Sequence, residues 1–284
     1  MIPAAGLGTR MLPATKVLPK ELLPVAAKPL IQYAVEEAAA SGIDTVIIVV
    51  RQNKSLIEAY FAPDRALELF LRQRGLNDSA DVARRLSKIV RLKFVTQRKP
   101  QGLGNAVSCA RPLLGDHSFV VLLPDVIMVS RKPVTSQLIC AHKEVGGNIV
   151  AVREVPAQDV ERFGIVQTLE TDATQFNRSV RVTRLVEKPS PGRAPSRLGV
   201  FGRYVLEPAF WAAFERTRPD ANGEVQLTDA IGLLCRDQAV FGVRFEGRHY
   251  DAGDRIGYLK ANIELSLDNP RLAQPLREYL SRMA

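Results

Sequence analysis

Gly6-Leu7-Gly8-Thr9-Arg10-Met11-Leu12-Pro13, preceded by the apolar Ile2-Pro3-Ala4-Ala5 and followed by Lys16, Pro19-Lys20-Glu21-Leu22-Leu23-Pro24, Lys28 and Pro29, is the stretch that decides the fold. Without a Cβ at Gly6 and Gly8, backbone N–H groups can come close to an anion. Arg10, Lys16, Lys20 and Lys28 add positive charge, and the recurring prolines keep the segment from becoming a long helix. Such a loop is suited to holding a polyphosphate and poorly suited to building a core. Two common phosphate motifs are excluded. Met11 stands where a dinucleotide fingerprint needs its third glycine, and no Gly-Lys-Ser/Thr closes a Walker loop.

Working outward, 284 residues with 46% apolar content can bury a sizeable core, as one large α/β domain or two intimate ones. No apolar run reaches membrane-spanning length and the amino terminus lacks a signal-peptide pattern, so cytoplasmic residence without a membrane partner is expected. Cys109, Cys140 and Cys235 are odd in number and far apart, which predicts buried free thiols rather than a disulfide framework. His117, His142 and His249 pair with no cysteine at metal-ligand spacing. The net charge of +9 is dispersed over predicted helical faces that carry Arg72, Arg74, Arg84, Arg85, Lys88 and Arg91. With 6% aromatic residues and no finger or zipper spacing, it reads as a solvated surface rather than a nucleic-acid site.

Strand-like and helical runs alternate through the first half, the pattern of parallel βαβ units. Strands are expected at 2–5, 45–50, 92–96 and 119–123, and helices at 30–41, 55–61, 67–74 and from Leu103. Asp125 follows the last of these strands, at the edge where open α/β sheets bind ligands. The second half is strand-rich at 148–152, 164–169, 180–187 and 200–206, with helices at 209–214, 227–235 and 256–266.

Further motifs lie along the chain: Gln97 ahead of Gly102-Leu103-Gly104-Asn105-Ala106, then Leu123-Pro124-Asp125-Val126, Phe163-Gly164-Ile165-Val166 and Val186-Glu187-Lys188-Pro189. Gly202-Arg203-Tyr204, Gly223-Glu224-Val225-Gln226-Leu227-Thr228-Asp229-Ala230-Ile231 and Tyr250-Asp251-Ala252-Gly253-Asp254 complete the series. With the amino-terminal loop, in this order over nearly the whole chain, they closely resemble the signature of sugar-1-phosphate nucleotidylyltransferases, specifically the bacterial UTP–glucose-1-phosphate uridylyltransferases.

The resemblance implies an α/β, Rossmann-like three-layer nucleotidyltransferase fold, with a mixed, mainly parallel central sheet and an additional sugar-binding β-rich layer. One domain would span 1–284: a nucleotide-binding part to about 130, a sugar-phosphate-binding part over 131–255, and C-terminal helices over 256–284. It implies magnesium-dependent transfer of a uridylyl group from UTP to glucose 1-phosphate, releasing pyrophosphate, in a homodimer or homotetramer. The apolar residues of 256–267 and 272–280 offer an interface.

Both reactants are anionic, so neutralisation and alignment matter more than a protein nucleophile. Arg10 and Lys20 can neutralise the triphosphate, Gly6 and Gly8 offer backbone donors, and family position makes Lys20 the leaving-group contact. The resemblance assigns Mg2+ to Asp125 and Asp251, a hard-oxygen pair that must meet across the folded cleft. It assigns the sugar phosphate to Lys188 and the sugar to Glu187, Gly164 and Gly202. For the base it points to Ala5, Gly6, Glu21, Gln97 and Gly102, with the Gln97 amide able to donate and accept. Glu224 and Gln226 suit a sugar-side or a structural role equally. Two alternatives stand beside this reading. A glucose-1-phosphate thymidylyltransferase tends toward Gly-Asp-Asn where this chain has Leu123-Pro124-Asp125-Val126. A non-catalytic regulatory paralogue draws on the start of the sequence close to its first strand, which leaves a shortened central strand as the expectation.

Overall fold

Val46, Ile48 and Val50 pack with Ile31, Val35 and Ala38 on one side, while Ile47 and Val49 pack with Ala106, Val107 and Ala110 on the other. Side chains alternate across a strand, so a strand covered on both faces must be apolar throughout, as this one is. The computed structural model describes residues 1–51, 55–169 and 178–283. Its strands are β1 (Ile2–Ala4), β2 (Pro24–Val25), β3 (Lys28–Pro29), β4 (Thr45–Arg51), β5 (Arg91–Gln97), β6 (Phe119–Leu122), β7 (Val126–Val129), β8 (Asn148–Glu154), β9 (Gly164–Thr168), β10 (Ser179–Glu187), β11 (Leu198–Leu206), β12 (Val240–Arg244) and β13 (Arg248–Asp251). Its helices are α1 (Leu30–Ala40), α2 (Ser55–Phe61), α3 (Arg65–Gln73), α4 (Asn77–Leu86), α5 (Gly102–Cys109), α6 (Arg111–Leu114), α7 (Val134–Val145), α8 (Phe210–Glu215), α9 (Leu227–Asp237), α10 (Arg255–Leu267) and α11 (Pro270–Ser281).

Parallel strands β1-β4-β5 form the first sheet, and β6-β11-β8-β12-β10-β9 the second, which mixes both directions. The two sheets join where Leu122 N donates to Met1 O at 3.0 Å. The short first strand is fully seated: Ile2, Pro3 and Ala4 pair with Ile48, Val49 and Val50. Helices α1 and α2 cover one face of the sheet, and α5, α8 and α9 the other, giving the expected three layers. The α7 helix covers β8, β11 and β12 through Leu138 and Ala141. No helix among the described residues is long and apolar enough to cross a membrane.

Three features depart from expectation. The basic loop does contribute to a core: Met11, Leu23 and Val25 pack with Ile127, Tyr250, Ala252, Ala261 and Leu265. Its prolines divide it into single 3-10 turns at Thr9–Met11, Ala14–Lys16 and Lys20–Leu22, whose buried residues are Met11, Thr15 and Glu21. Of the cysteines, only Cys235 is buried; Cys109 and Cys140 are half-buried, and all are free. The third departure is the antiparallel pair β7–β13, too short to stand out in the sequence.

Candidate active site

The β7–β13 pair brings the two acids together. Its register sets Asp251 opposite Val126, and Ala252 N donates to Asp125 O at 2.8 Å. Gly253 N donates to Asp251 Oδ1 at 2.9 Å. An added Cβ on Gly253 would lie 3.0 Å from Asp251 Oδ1 and 3.4 Å from Asp125 Oδ2, so the carboxylates converge on one small space. Lys20, held by its 3-10 turn, reaches across to Asp125 Oδ2 at 2.6 Å.

Electrostatics separate the two acids. Burial opposes charge on Asp125, but Lys20 outweighs it and holds the carboxyl below the usual carboxylate range. Burial likewise opposes charge on Lys20, and Asp125, Glu21 and Asp251 more than restore it. Burial also pushes Asp251 upward, the Gly253 N–H opposes that, and the Asp125 charge adds to it. Arg162 opposes the rise as well, but burial outweighs its neighbours at Asp251. Among the described residues no group of three or more His, Cys, Asp or Glu side chains is gathered to hold a metal. This donor set is a pair of hard oxygens, which fits a divalent cation completed by phosphate and water.

A cavity of about 520 Å3 beside this point is lined by Ala5, Gly6, Gly8, Lys20, Glu21, Gln97, Gly102 and Asp125, all but one of the residues expected around the nucleotide. The exception is Arg10. It lines a separate cleft of about 870 Å3 with Arg162, Asp251, Asp254 and Arg255. Arg162 Nη2 lies 3.3 Å from Asp251 Oδ2 and 2.8 Å from Asp254 Oδ2. In the nucleotide cavity Gln97 is buried, and its Nε2 donates to Asn105 Oδ1 at 2.7 Å and to Gly102 O at 3.4 Å. That leaves Oε1 as the group Gln97 offers. Gly102 has φ +91°, and an added Cβ would come within 2.7 Å of Val225 O. Its freedom therefore serves the docking of the 223–226 segment as well as access to the cavity.

On the other side, a cavity of about 1060 Å3 is lined by Glu187, Lys188, Arg216, Asp220, Glu224 and Asp229. Glu224 lines both this and the nucleotide cavity, so the two meet at its side chain. Lys188 has φ 42°, a left-handed backbone that costs a residue with a Cβ roughly 1–3 kcal/mol. Its N–H donates to Phe163 O at 3.0 Å, and its Nζ lies 3.1 Å from Glu187 Oε1. Gly164 lies against Glu187 and Thr228. Gln226 is a loop brace, its Nε2 donating to Asp220 Oδ2 at 3.0 Å and Glu224 Oε2 at 3.1 Å. Gly202 lines none of these three cavities: it is buried, and Leu123 N donates to its O at 2.9 Å.

Sequence reasoning missed Thr15, whose Oγ1 donates to Gly8 O at 2.7 Å, and Asn105 behind Gln97. It also assigned nothing to Glu37 and Arg203, a buried ion pair at 2.7 Å. The available signal for that pair was Arg203, the one charge in an otherwise apolar strand.

Sheet, basic loop and converging acids together define an α/β enzyme of phosphoryl or nucleotidyl transfer. The model of the family described as nucleotidyl transferase matches residues 1–266. UTP–glucose-1-phosphate uridylyltransferase 2 of Staphylococcus saprophyticus is 41% identical, over 100% of this chain and 96% of that protein. A Bacillus subtilis UTP–glucose-1-phosphate uridylyltransferase is also 41% identical, over 99% of this chain and 93% of its own length. The UTP-bound UGPase structure from Acinetobacter baumannii superposes with a TM-score of 0.88 at 35% identity, covering 100% of this chain and 98% of that one. The chain belongs to the nucleotidyl transferase family, in the branch of the UTP–glucose-1-phosphate uridylyltransferases.

Proposed function

We propose that this chain joins UTP and glucose 1-phosphate into UDP-glucose and pyrophosphate, with magnesium, in a single in-line displacement. A phosphate oxygen of the sugar phosphate bonds to the α-phosphorus of UTP as the bond to the bridging oxygen of pyrophosphate breaks. The observation that carries this reading is the convergence of Lys20, Asp125 and Asp251 where the cavity lined by Gln97 and the cleft lined by Arg10 adjoin, with Glu224 linking the former to the cavity of Glu187 and Lys188.

In this reading Ala5, Gly6, Gly8, Glu21, Gln97 and Gly102 hold the nucleotide, with Gln97 Oε1 as acceptor for a base N–H. Lys20 neutralises charge building on the leaving pyrophosphate, and Arg10 meets that group from the neighbouring cleft. Lys188 anchors the attacking phosphate as a point charge, while Glu187 accepts from sugar hydroxyls and Gly164 leaves room for it. Gly202 acts beneath the Asp125 turn. Asp125 and Asp251 would hold magnesium, which when bound would lower charge repulsion between the two anions and help align them. The approximate division into nucleotide, sugar-phosphate and C-terminal helical parts goes with this reading. So do cytoplasmic residence and a homodimer or homotetramer, for which exposed Ile256, Leu259, Ile263 and Leu272 on α10 and α11 offer apolar surface.

Pyrophosphate release from a panel of nucleoside triphosphates and sugar phosphates tests it, with UTP and glucose 1-phosphate expected to turn over fastest. Faster use of dTTP would select a thymidylyltransferase, and tight binding without metal-dependent turnover would select the regulatory paralogue.

A further inference from the structure

Arg203 is fully buried on β11, an unusual place for a guanidinium unless every donor is used. Its Nε and Nη2 meet both oxygens of Glu37 on α1. The remaining contacts go to backbone: Nη1 donates to Leu123 O at 2.9 Å and Gly202 O at 3.1 Å, and Nη2 to Val126 O at 2.8 Å. Glu37 is held in turn by Thr135, whose N–H and Oγ1 donate to Oε1 at 2.9 and 2.7 Å.

Leu123 and Val126 bracket Asp125. Two of the three carbonyls fixed by Arg203 are therefore those on either side of the turn that presents the carboxylate. The same turn accepts the Ala252 N–H through Asp125 O, one residue beyond Asp251. A continuous chain of contacts thus runs from α1 through Arg203 to the turn, and from the turn to the second acid. From this geometry we infer that Glu37 and Arg203 are positioning residues: they set the distance and orientation between the Asp125 and Asp251 carboxylates. The inference rests on the proposed reaction for its kinetic consequence, and its structural part stands without it. A hydrophobic pair could fill this site, but it could not hold the two carbonyls. Outer partners that orient carboxylate ligands commonly change metal affinity or activity by about 10–100-fold when removed.

The test uses Arg203→Lys and Glu37→Gln in the full chain, at a temperature well below the melting point of each. Lysine keeps the charge but cannot span Glu37 and both carbonyls at once. Without substrate or metal, amide hydrogen exchange at Ala252 and Val126 is expected to accelerate at least about tenfold, with β4 protection unchanged apart from any loss of global stability. In turnover, kcat is expected to fall about 10–100-fold and half-saturation by magnesium to rise, while KM for UTP stays within about threefold. Loss of protection at Ala252 no greater than that at β4 would overturn the inference, making the pair merely structural. Unchanged exchange and unchanged magnesium dependence in folded variants would also overturn it. Faster exchange at Ala252 in a protein whose parent does not turn over UTP and glucose 1-phosphate would leave the positioning role standing and remove the proposed reaction instead.

Discussion

Lys188 holds a strained backbone and keeps half of its side chain exposed beside Glu187, an arrangement that packing does not require. A charge-assisted contact to a phosphate is worth about 1.5–3 kcal/mol. Lys188→Ala is therefore expected to raise KM for glucose 1-phosphate by roughly 10–100-fold while KM for UTP changes little, measured by pyrophosphate release at varied sugar phosphate. Asp125→Ala is expected to abolish turnover even at saturating substrates; a rate within about tenfold of the parent would remove Asp125 from the reaction. Glu37 makes a pH-dependent contribution. Burial opposes its charge, yet Arg203 and the Thr135 donors hold it below its ordinary value of 4.5 in the folded protein. Its stabilising contribution is present above that value and is lost as pH falls through the lower folded value. Glu37→Gln is expected to cost about 3 kcal/mol near neutral pH, on the order of 5–10 °C in Tm. The gap from the parent should narrow in melts carried out progressively below pH 4.5. At this scale the sequence was informative where residue type alone carries the chemistry, as for Lys20, Asp125 and the Glu187-Lys188 pair. It was silent on Glu37 and Arg203, whose meaning depends on contacts between distant elements.

Most sheet strands and helices were legible to within a few residues, because burial on both faces writes a continuous apolar run and glycines mark the stops. Gly42, with φ +81°, ends α1 as expected. The β7–β13 pair escaped notice because each strand has only four residues and its pairing is far apart in the chain. That pair decides whether Asp125 and Asp251 meet, so the site was readable as a list of residues but not as an arrangement. The basic loop was misjudged for a related reason: its apolar residues are scattered among prolines and show no period, yet Met11, Leu23 and Val25 join a cluster with residues of β7, β13 and α10. Gly202 connects these elements. Its φ is +59°, and an added Cβ would lie 3.0 Å from Leu123 Cβ. Gly202→Ala combines backbone strain with crowding, for about 2–4 kcal/mol of lost stability. A fall in kcat measured on the folded enzyme should accompany the lower Tm, because the clash pushes on the Asp125 turn.

For the molecule as a whole, a mixed sheet carries a nucleotide-sized cavity at the ends of β1, β5 and β6, and a second cavity along β10 and α9. Beside the first of these, Asp125 is matched by Lys20, while Asp251 faces Arg162 in the adjoining cleft and is pushed upward by burial. A site of this kind aligns two anions; among the groups the reaction would use, none is a cysteine or histidine nucleophile. The central claim is that this chain makes UDP-glucose. The most direct measurement is pyrophosphate release and UDP-glucose formation from UTP and glucose 1-phosphate, with and without magnesium, alongside dTTP at equal concentration. Equimolar product and pyrophosphate, dependent on magnesium and faster with UTP than with dTTP, is the predicted result. Magnesium-independent rates, preference for dTTP, or binding without product would contradict it.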